Sequence, residues 1–275
     1  MPLTTEQLQE IVAPLRNRPD AITVLTGAGI SAESGIPTFR GPEGYWTVGS
    51  KVYQPQEMAT LRMFRKCPFD VWAWYLYRLG ICRQAEPNPG HHALVKMESL
   101  LGDRFTLITQ NVDGLHIRAG NSPARTYQIH GNIDYVRCVE ACGPELLRMP
   151  GELKTKTKGE SLSEHEKQRL HCPTCNGLLR PHVLWFDESY DEHYFRFYSS
   201  LKVAQNTRLL VIVGTSGATN LPNQIAWQTA ASGGTIIDIN IEENPFSRIA
   251  ARTPEGGFCQ APSSQVLPQL AEALQ

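Results

Sequence analysis

The chain has 275 residues, 41% of them hydrophobic, enough for one large α/β domain or a domain with an inserted module, and two independent domains are not expected. Its 26 basic and 27 acidic side chains give a formal charge of −1, which excludes a global attraction to nucleic acid or to anionic membrane. No stretch approaches the roughly 18 apolar residues of a membrane span, and the opening "MPLTTEQLQEIVAPLRNRPD" has neither a signal-peptide core nor a transit-peptide character, so a soluble, cytoplasmic protein is expected.

In chain order, "TEQLQEIVAPL" predicts a short amphipathic helix entered through Thr4 or Thr5, with Leu8, Ile11, Val12 and Leu15 on one stripe. "AITVLTGAGISAESG" runs apolar and β-branched from Ala21 to Leu25 and breaks at Gly27, the pattern of a buried parallel strand closed by a glycine turn. "FTLITQN" from Phe105, "RLLVIVGTS" from Arg208 and "GTIIDIN" from Gly234 read the same way. Stretches long enough for crossover helices separate these runs, so they predict a doubly wound parallel sheet whose ligands sit at the carboxyl ends of its strands. No internal repeat is present.

Two stretches read as insertions. Residues 42–100 are aromatic-rich and predominantly helical in pattern. Within them "VWAWYLYRLG" places Tyr75 and Arg78 on one helix face. Arg78 either lays its stem over Trp74 with the guanidinium in water, or forms an anion receptor beside the Tyr75 phenol. Residues 135–179 hold two cysteine pairs around "GELKTKTKGESLSEHEKQR", which lacks an apolar face and is expected to be a mobile surface loop with some helix.

Seven cysteines argue against a closed disulfide framework. Cys67, Cys82 and Cys259 stand alone and are expected to be buried and reduced. Cys138 and Cys142, then Cys172 and Cys175 after 29 residues, form two knuckles that suit a tetrahedral structural zinc. Gly143 and Gly177 suit such turns. The first knuckle is one residue longer than the usual spacing, and His171 stands as an alternative ligand. Four protein ligands leave no open position, so the metal is expected to hold the inserted module together.

"TGAGISAESGIPTFRG" contains Gly27-x-Gly29, a strand-to-helix turn that lets backbone N–H groups approach a pyrophosphate, although a ligand-free tight turn reads alike. "GAGIS" with "IPTFRG", then "TQNVDGLH", "HGN", the two cysteine pairs and "GTS", in that order, resemble the sirtuins, NAD-dependent protein-lysine deacylases, from about residue 20 to 270. The resemblance implies a Rossmann-like NAD-binding domain of residues 1–41, 101–134 and 180–275. It implies a small domain formed by the helical insertion 42–100 and the zinc-binding insertion 135–179. It puts Gly27, Ala28, Gly29, Ser31, Phe39 and Arg40 around the pyrophosphate and nicotinamide ribose. Gln110, Asn111 and Asp113 would line the nicotinamide pocket, Gly214, Thr215 and Ser216 the adenosine phosphates and ribose, and Asn240 the adenine ribose. His130 would be the catalytic histidine, with Asn111 and Asp113 beside it. In isolation those three would read as a structural histidine and turn-formers.

In the implied reaction the acyl oxygen of a modified lysine attacks the ribose C1′ and expels nicotinamide. A base must then draw a proton from the 2′-hydroxyl, and a histidine with a pKa of about 6.5 suits that task. Water finally releases lysine and O-acyl-ADP-ribose; zinc takes no part.

Tyr75-x-x-Arg78 matches the pair that ends the acyl tunnel in sirtuins that remove malonyl, succinyl and glutaryl groups. Ala59 of "MAT" stands where a bulkier residue would narrow that tunnel. Leu184, Phe186 and Glu188 follow as substrate-binding residues. Two departures stand out: Phe186-Asp187-Glu188 replaces the family's "FGE", and "GATNLPN" after "GTS" carries Pro222 one residue late. Both loops are implied to clamp the peptide as a strand. The expected partners are acyl-lysine proteins or peptides, with no nucleic acid and no membrane; the oligomeric state stays open, a monomer included. Rival readings are an ordinary deacetylase, an ADP-ribosyltransferase or NAD hydrolase, told apart by O-acyl-ADP-ribose, and a non-catalytic NAD-sensing module that would bind without turnover.

Overall fold

The structure is a computed structural model and describes residues 2–38, 46–48 and 51–275. Chain order begins with α1 (Thr5–Val12), whose N-cap Thr4 and Gln7 bond reciprocally, β1 (Ala21–Thr26) and α2 (Ala28–Ala32). Two short antiparallel strands follow, β2 (Trp46–Val48) and β3 (Lys51–Tyr53), then helices α3 (Pro55–Met58), α4 (Leu61–Lys66), α5 (Pro68–Gln84) and α6 (Pro89–Leu101). After β4 (Phe105–Thr109), α7 (Leu115–Ala119) and β5 (Thr126–Gln128) come β6 (Gly131–Cys138), β7 (Leu147–Arg148), α8 (Glu164–Gln168) and β8 (Leu179–Val183). The chain closes with α9 (Glu192–Phe195), α10 (Phe197–Asn206), β9 (Thr207–Val213), α11 (Asn220–Ala231), β10 (Thr235–Asn240), α12 (Pro245–Ala250), β11 (Gly257–Gln260) and α13 (Ser263–Ala273).

Six strands make a parallel sheet in the order β11-β10-β9-β1-β4-β5. The four predicted strands form its centre; the edge strands β5 and β11 are additions. The order reverses between β1 and β9, which opens a crevice at their carboxyl ends. Alternation divides each apolar run between the two faces. Val24, Val211 and Ile237 pack with α1, α6 and α13, while Leu25, Ile212 and Ile236 pack with α10, α11 and α12. The face-dividing pattern explains why these strands read as continuous hydrophobic stretches.

A second core joins both inserted stretches. Met58, Phe64 and the α5 residues Val71–Leu76 and Leu79 share it with Val136, Leu179 and Trp185 around the antiparallel sheet β7-β6-β8. Helix α5 is buried on most of its circumference, as its continuous apolar and aromatic run from Val71 to Tyr77 requires. Helix α6 differs: its Ala93, Leu94, Met97 and Leu101 lie in the core of the large sheet.

The lysine-rich middle departs from expectation. Leu153, Leu162 and Leu170 are buried in the second core, and Lys156 pairs with buried Glu166 at 2.9 Å. Three leucines spaced eight or more residues apart carry no helical or strand period, so their inward face is not visible as a pattern.

Candidate active site

The two central turns of the large sheet interlock. Gly27 N–H donates to the Val213 carbonyl at 2.9 Å and Gly29 N–H to the Gly214 carbonyl at 2.7 Å. A Cβ on Gly29 would lie 2.6 Å from Gly214 Cα, and Gly214 itself has φ +58, so glycines here permit a close crossing of two backbones. The Gly29 amide is therefore engaged within the protein, a use the phosphate-cradle expectation did not include. Ala28 opens α2, and buried Ser31 accepts from Asn111 Nδ2 at 3.0 Å. Phe39 and Arg40 lie outside the described residues.

The end of β4 supplies the next group. Asn111 Nδ2 also donates to the Gly27 carbonyl at 3.0 Å, and Gln110 Nε2 to Thr215 Oγ1 at 2.9 Å. Asp113 accepts from Leu115 N–H at 2.9 Å, and its burial raises the carboxyl pKa against the lowering effects of that bond, Ser31, Arg118 and Arg78. Ser216 is exposed, and Asn240 Nδ2 donates to the Thr215 carbonyl at 3.0 Å. Gln110, Asn111, Asp113, Thr215, Ser216 and Asn240 thus gather around one crevice, as the strand order requires.

His130 follows Ile129 and enters β6 through Gly131, which has φ +87. A Cβ at Gly131 would fall 2.1 Å from the His182 carbonyl, so only glycine lets β6 meet β8 there. His130 Nδ1 contacts the Gln110 carbonyl at 3.1 Å, and Nε2 contacts the Tyr190 hydroxyl at 2.8 Å. The residue is half-buried, and burial of the ring disfavours its charged form and lowers its pKa to about 4, against the raising effect of the Gln110 carbonyl. It is thus a neutral imidazole at neutral pH. Tyr190 was not anticipated: it stands in "ESYDEHYF", outside any motif, and nothing in its residue type or spacing marks it.

Tyr75 and Arg78, the residues expected to end the acyl pocket, lie on α5. Tyr75 is buried, and its hydroxyl accepts from the Trp185 indole N–H at 2.8 Å. Trp185, also missed in the sequence, packs on Phe64 with centroids 5.2 Å apart and lies under the Arg180 guanidinium at 3.4 Å. Arg78 is half-buried, 5.6 Å from the Trp74 ring centroid, and its charge acts on Tyr75 and Asp113. Ala59 is buried, and its carbonyl accepts from Phe186 N–H at 3.0 Å; the Phe186 side chain is exposed. Leu184 N–H donates to the His130 carbonyl at 2.9 Å, joining the loop to the histidine.

The Glu188 carboxylate is engaged within the protein. It is held by Arg180 and accepts from Trp185 N–H at 2.9 Å, with Arg137 at 3.5 Å, so it braces the loop from inside. Asp187 is also accounted for: its oxygens accept from Leu61 and Arg62 N–H at 2.7 and 3.0 Å, capping α4.

The four sulfurs of Cys138, Cys142, Cys172 and Cys175 lie within 4.8 Å of one another, with two pairs at 3.5 Å. Tetrahedral coordination with Zn–S bonds of 2.3 Å needs S···S separations of about 3.8 Å, so four thiolates here fit a closed structural zinc site. The extra residue of the first knuckle is absorbed by Ala141 at φ 48, and the second knuckle turns at Asn176 with φ 61, not at Gly143 or Gly177. His171 is outside the cluster, its Nδ1 donating to the Asn176 carbonyl at 2.9 Å.

A family model described as "SIR2: Sir2 family" matches residues 27–220. An "NAD-dependent protein deacylase" of Leptospira interrogans serogroup Icterohaemorrhagiae serovar Lai (strain 56601) is 41% identical over 263 residues, 96% of each chain. Another of that name, from Aquifex aeolicus (strain VF5), is 40% identical over 83% of this chain and 87% of its own. Among solved structures, a Sir2 homologue in complex with NAD superposes with TM-score 0.79 at 29% identity, covering 99% of this chain and 94% of the other. A complex described as "Sir2-p53 peptide-NAD+" superposes with TM-score 0.70 at 26% identity, covering 94% and 95%.

Proposed function

This chain belongs to the Sir2 family, and from that premise we propose that it is an NAD-dependent protein-lysine deacylase with a preference for acyl groups ending in a carboxylate. The preference rests on the Tyr75 hydroxyl. Trp185 donates to its oxygen at 2.8 Å, which leaves the phenol proton to be given to a substrate, while Arg78, one helical turn along, brings positive charge to the same end of the pocket.

The crevice suits NAD+. Gln110, Asn111, Thr215, Ser216 and Asn240 offer neutral donors and acceptors at the ends of β4, β9 and β10, groups that can bind a pyrophosphate and ribose hydroxyls. Gln110, Asn111 and Asp113 would face the nicotinamide ribose, and Gly214, Thr215, Ser216 and Asn240 the adenosine half. Bound NAD+ supplies the ribosyl carbon electrophile and nicotinamide as the leaving group. His130, a neutral imidazole, accepts the ribose hydroxyl proton at Nε2 when that hydroxyl takes the place of the Tyr190 phenol. Ala59 and Phe186 border the peptide side. The same reading gives a division into a large domain and a small one built from the insertions, with α6 assigned to the large domain because its apolar face lies there.

An ordinary deacetylase is the second reading, favoured by the Arg78–Trp74 contact at 5.6 Å, which gives the guanidinium a partner within the protein. One peptide carrying succinyl, malonyl, glutaryl or acetyl lysine, assayed for free lysine and O-acyl-ADP-ribose with NAD+, separates the two. Faster turnover of the acidic groups supports the first. Equal or faster acetyl turnover supports the second, and ADP-ribose without acyl transfer removes both.

A further inference from the structure

The two nitrogens of His130 have distinct surroundings. The Gln110 main-chain carbonyl can only accept, so the 3.1 Å contact puts the proton on Nδ1 and leaves the lone pair on Nε2. That lone pair meets the Tyr190 hydroxyl at 2.8 Å, and the phenol must therefore donate. The Tyr190 ring is held on two sides, 5.8 Å from the His130 centroid and stacked on Phe197 at 6.1 Å and 24°. The Leu221 N–H also acts on the phenol oxygen, and Thr219 lies beside it with its own Oγ1 proton given to Gln110 Oε1 at 2.8 Å. Gln110, His130, Tyr190 and Thr219 thus close a ring of contacts that joins the loops after β4, β8 and β9.

We propose that Tyr190 is a positioning residue for acyl transfer, holding His130 as the neutral Nδ1–H tautomer and reserving its Nε2 lone pair until the ribose hydroxyl takes the place of the phenol. The proposal rests on the reading of His130 as the base. A donor at Nε2 stabilises the neutral ring, in the same direction as burial. Among the described residues Tyr190 is the titratable side chain against the ring, and no charged side chain contributes to the histidine's ionisation, Asp113 being turned to Leu115 N–H. Because the phenol is held by Phe197 and the Leu221 N–H, the histidine inherits the order of the segments after β8 and β9. Expulsion of nicotinamide needs no proton acceptor, whereas the following attack by the ribose hydroxyl does. Loss of the phenol should therefore divide the two half-reactions.

The test compares the parent with Tyr190→Phe and Thr219→Val, measuring nicotinamide exchange, O-acyl-ADP-ribose formation and the imidazole titration and tautomer of His130 by NMR. With Tyr190→Phe, exchange should stay within about twofold, product formation should fall about two- to tenfold, and the His130 titration should rise by about half to one pH unit, the span of one hydrogen bond. Thr219→Val should shift both in the same direction by less. An unmoved titration, or exchange and product formation falling together, would overturn the proposal. A parent that makes no O-acyl-ADP-ribose would instead remove the underlying reading of His130.

Discussion

The Trp185 indole N–H donates to the Tyr75 hydroxyl at 2.8 Å, and both side chains are buried. Burial raises the Tyr75 pKa well above the ordinary phenol value, so the group stays protonated and available as a donor throughout the working pH range. Trp185→Phe keeps an aromatic ring beside Phe64 but removes the indole donor. The kcat/KM for a succinylated peptide is expected to fall up to about tenfold, with acetyl changing less than about twofold. Equal losses on both substrates would mean that Trp185 acts through packing alone.

Asp187 binds the first two N–H groups of α4 from a loop more than a hundred residues away in sequence. Asp187→Gly removes this cap, and a loss of about 0.5–2 kcal/mol is expected, lowering Tm by about 1–8 °C. The peptide KM should rise as well, because Phe186 and Ala59 are joined at the same place. Calorimetry and initial rates would check both; an unchanged Tm would show that the cap is not formed in solution.

Stability should fall on mild acidification through His91. Its ring is buried against His116 with centroids 4.8 Å apart, and burial lowers its pKa to about 4. The folded pKa lies below the unfolded value of about 6.5, so the contribution is fully present above pH 6.5 and is lost progressively as pH falls towards 4. Asp238 acts oppositely: its pKa is raised to about 6 by burial, so its folded form is relatively favoured as pH falls through that value. Urea melts between pH 7 and 4.5 should show a net decline. His116, His130 and His182 are lowered by burial in the same direction, so His91→Gln, whose amide oxygen can still accept from Asn88 N–H, should reduce the slope without abolishing it; an unchanged slope would assign the decline to those other rings.

The cysteine cluster should contain one zinc per chain, measurable by atomic absorption. His130 and Cys138 are at the two ends of a single strand stretch, about 25 Å apart if fully extended, so the metal is remote from the reaction. Chelation or Cys142→Ser should nevertheless abolish activity by loosening the core that Cys138 and Cys172 share with α5. Full activity in zinc-free protein would contradict this.

Residues whose role follows from type and local order were legible in the sequence. The runs at Ala21, Phe105, Arg208 and Gly234 announce central strands because both faces are buried, and four cysteines in two knuckles announce a metal site. Strands β5 and β11, three and four residues long, exist as edges on a sheet already formed and have no comparable run. Tyr190 and Trp185 act through contacts made by loop geometry, which no spacing encodes. Glu188 had the right type for a ligand contact, but Arg180, eight residues earlier and across a turn, takes its carboxylate. Asp187, a departure in the motif, is explained only by a helix distant in sequence.

The most direct test of the acyl-receptor account is Arg78→Met, which keeps the length of the side chain over Trp74 and removes the charge. NAD-dependent lysine release from one peptide carrying succinyl or acetyl lysine would be compared with the parent. The account predicts that succinyl turnover leads in the parent and that the substitution removes this lead while acetyl turnover is retained. If acetyl leads in the parent and the substitution leaves the ratio unchanged, Arg78 is a packing residue and the tunnel has no carboxylate receptor.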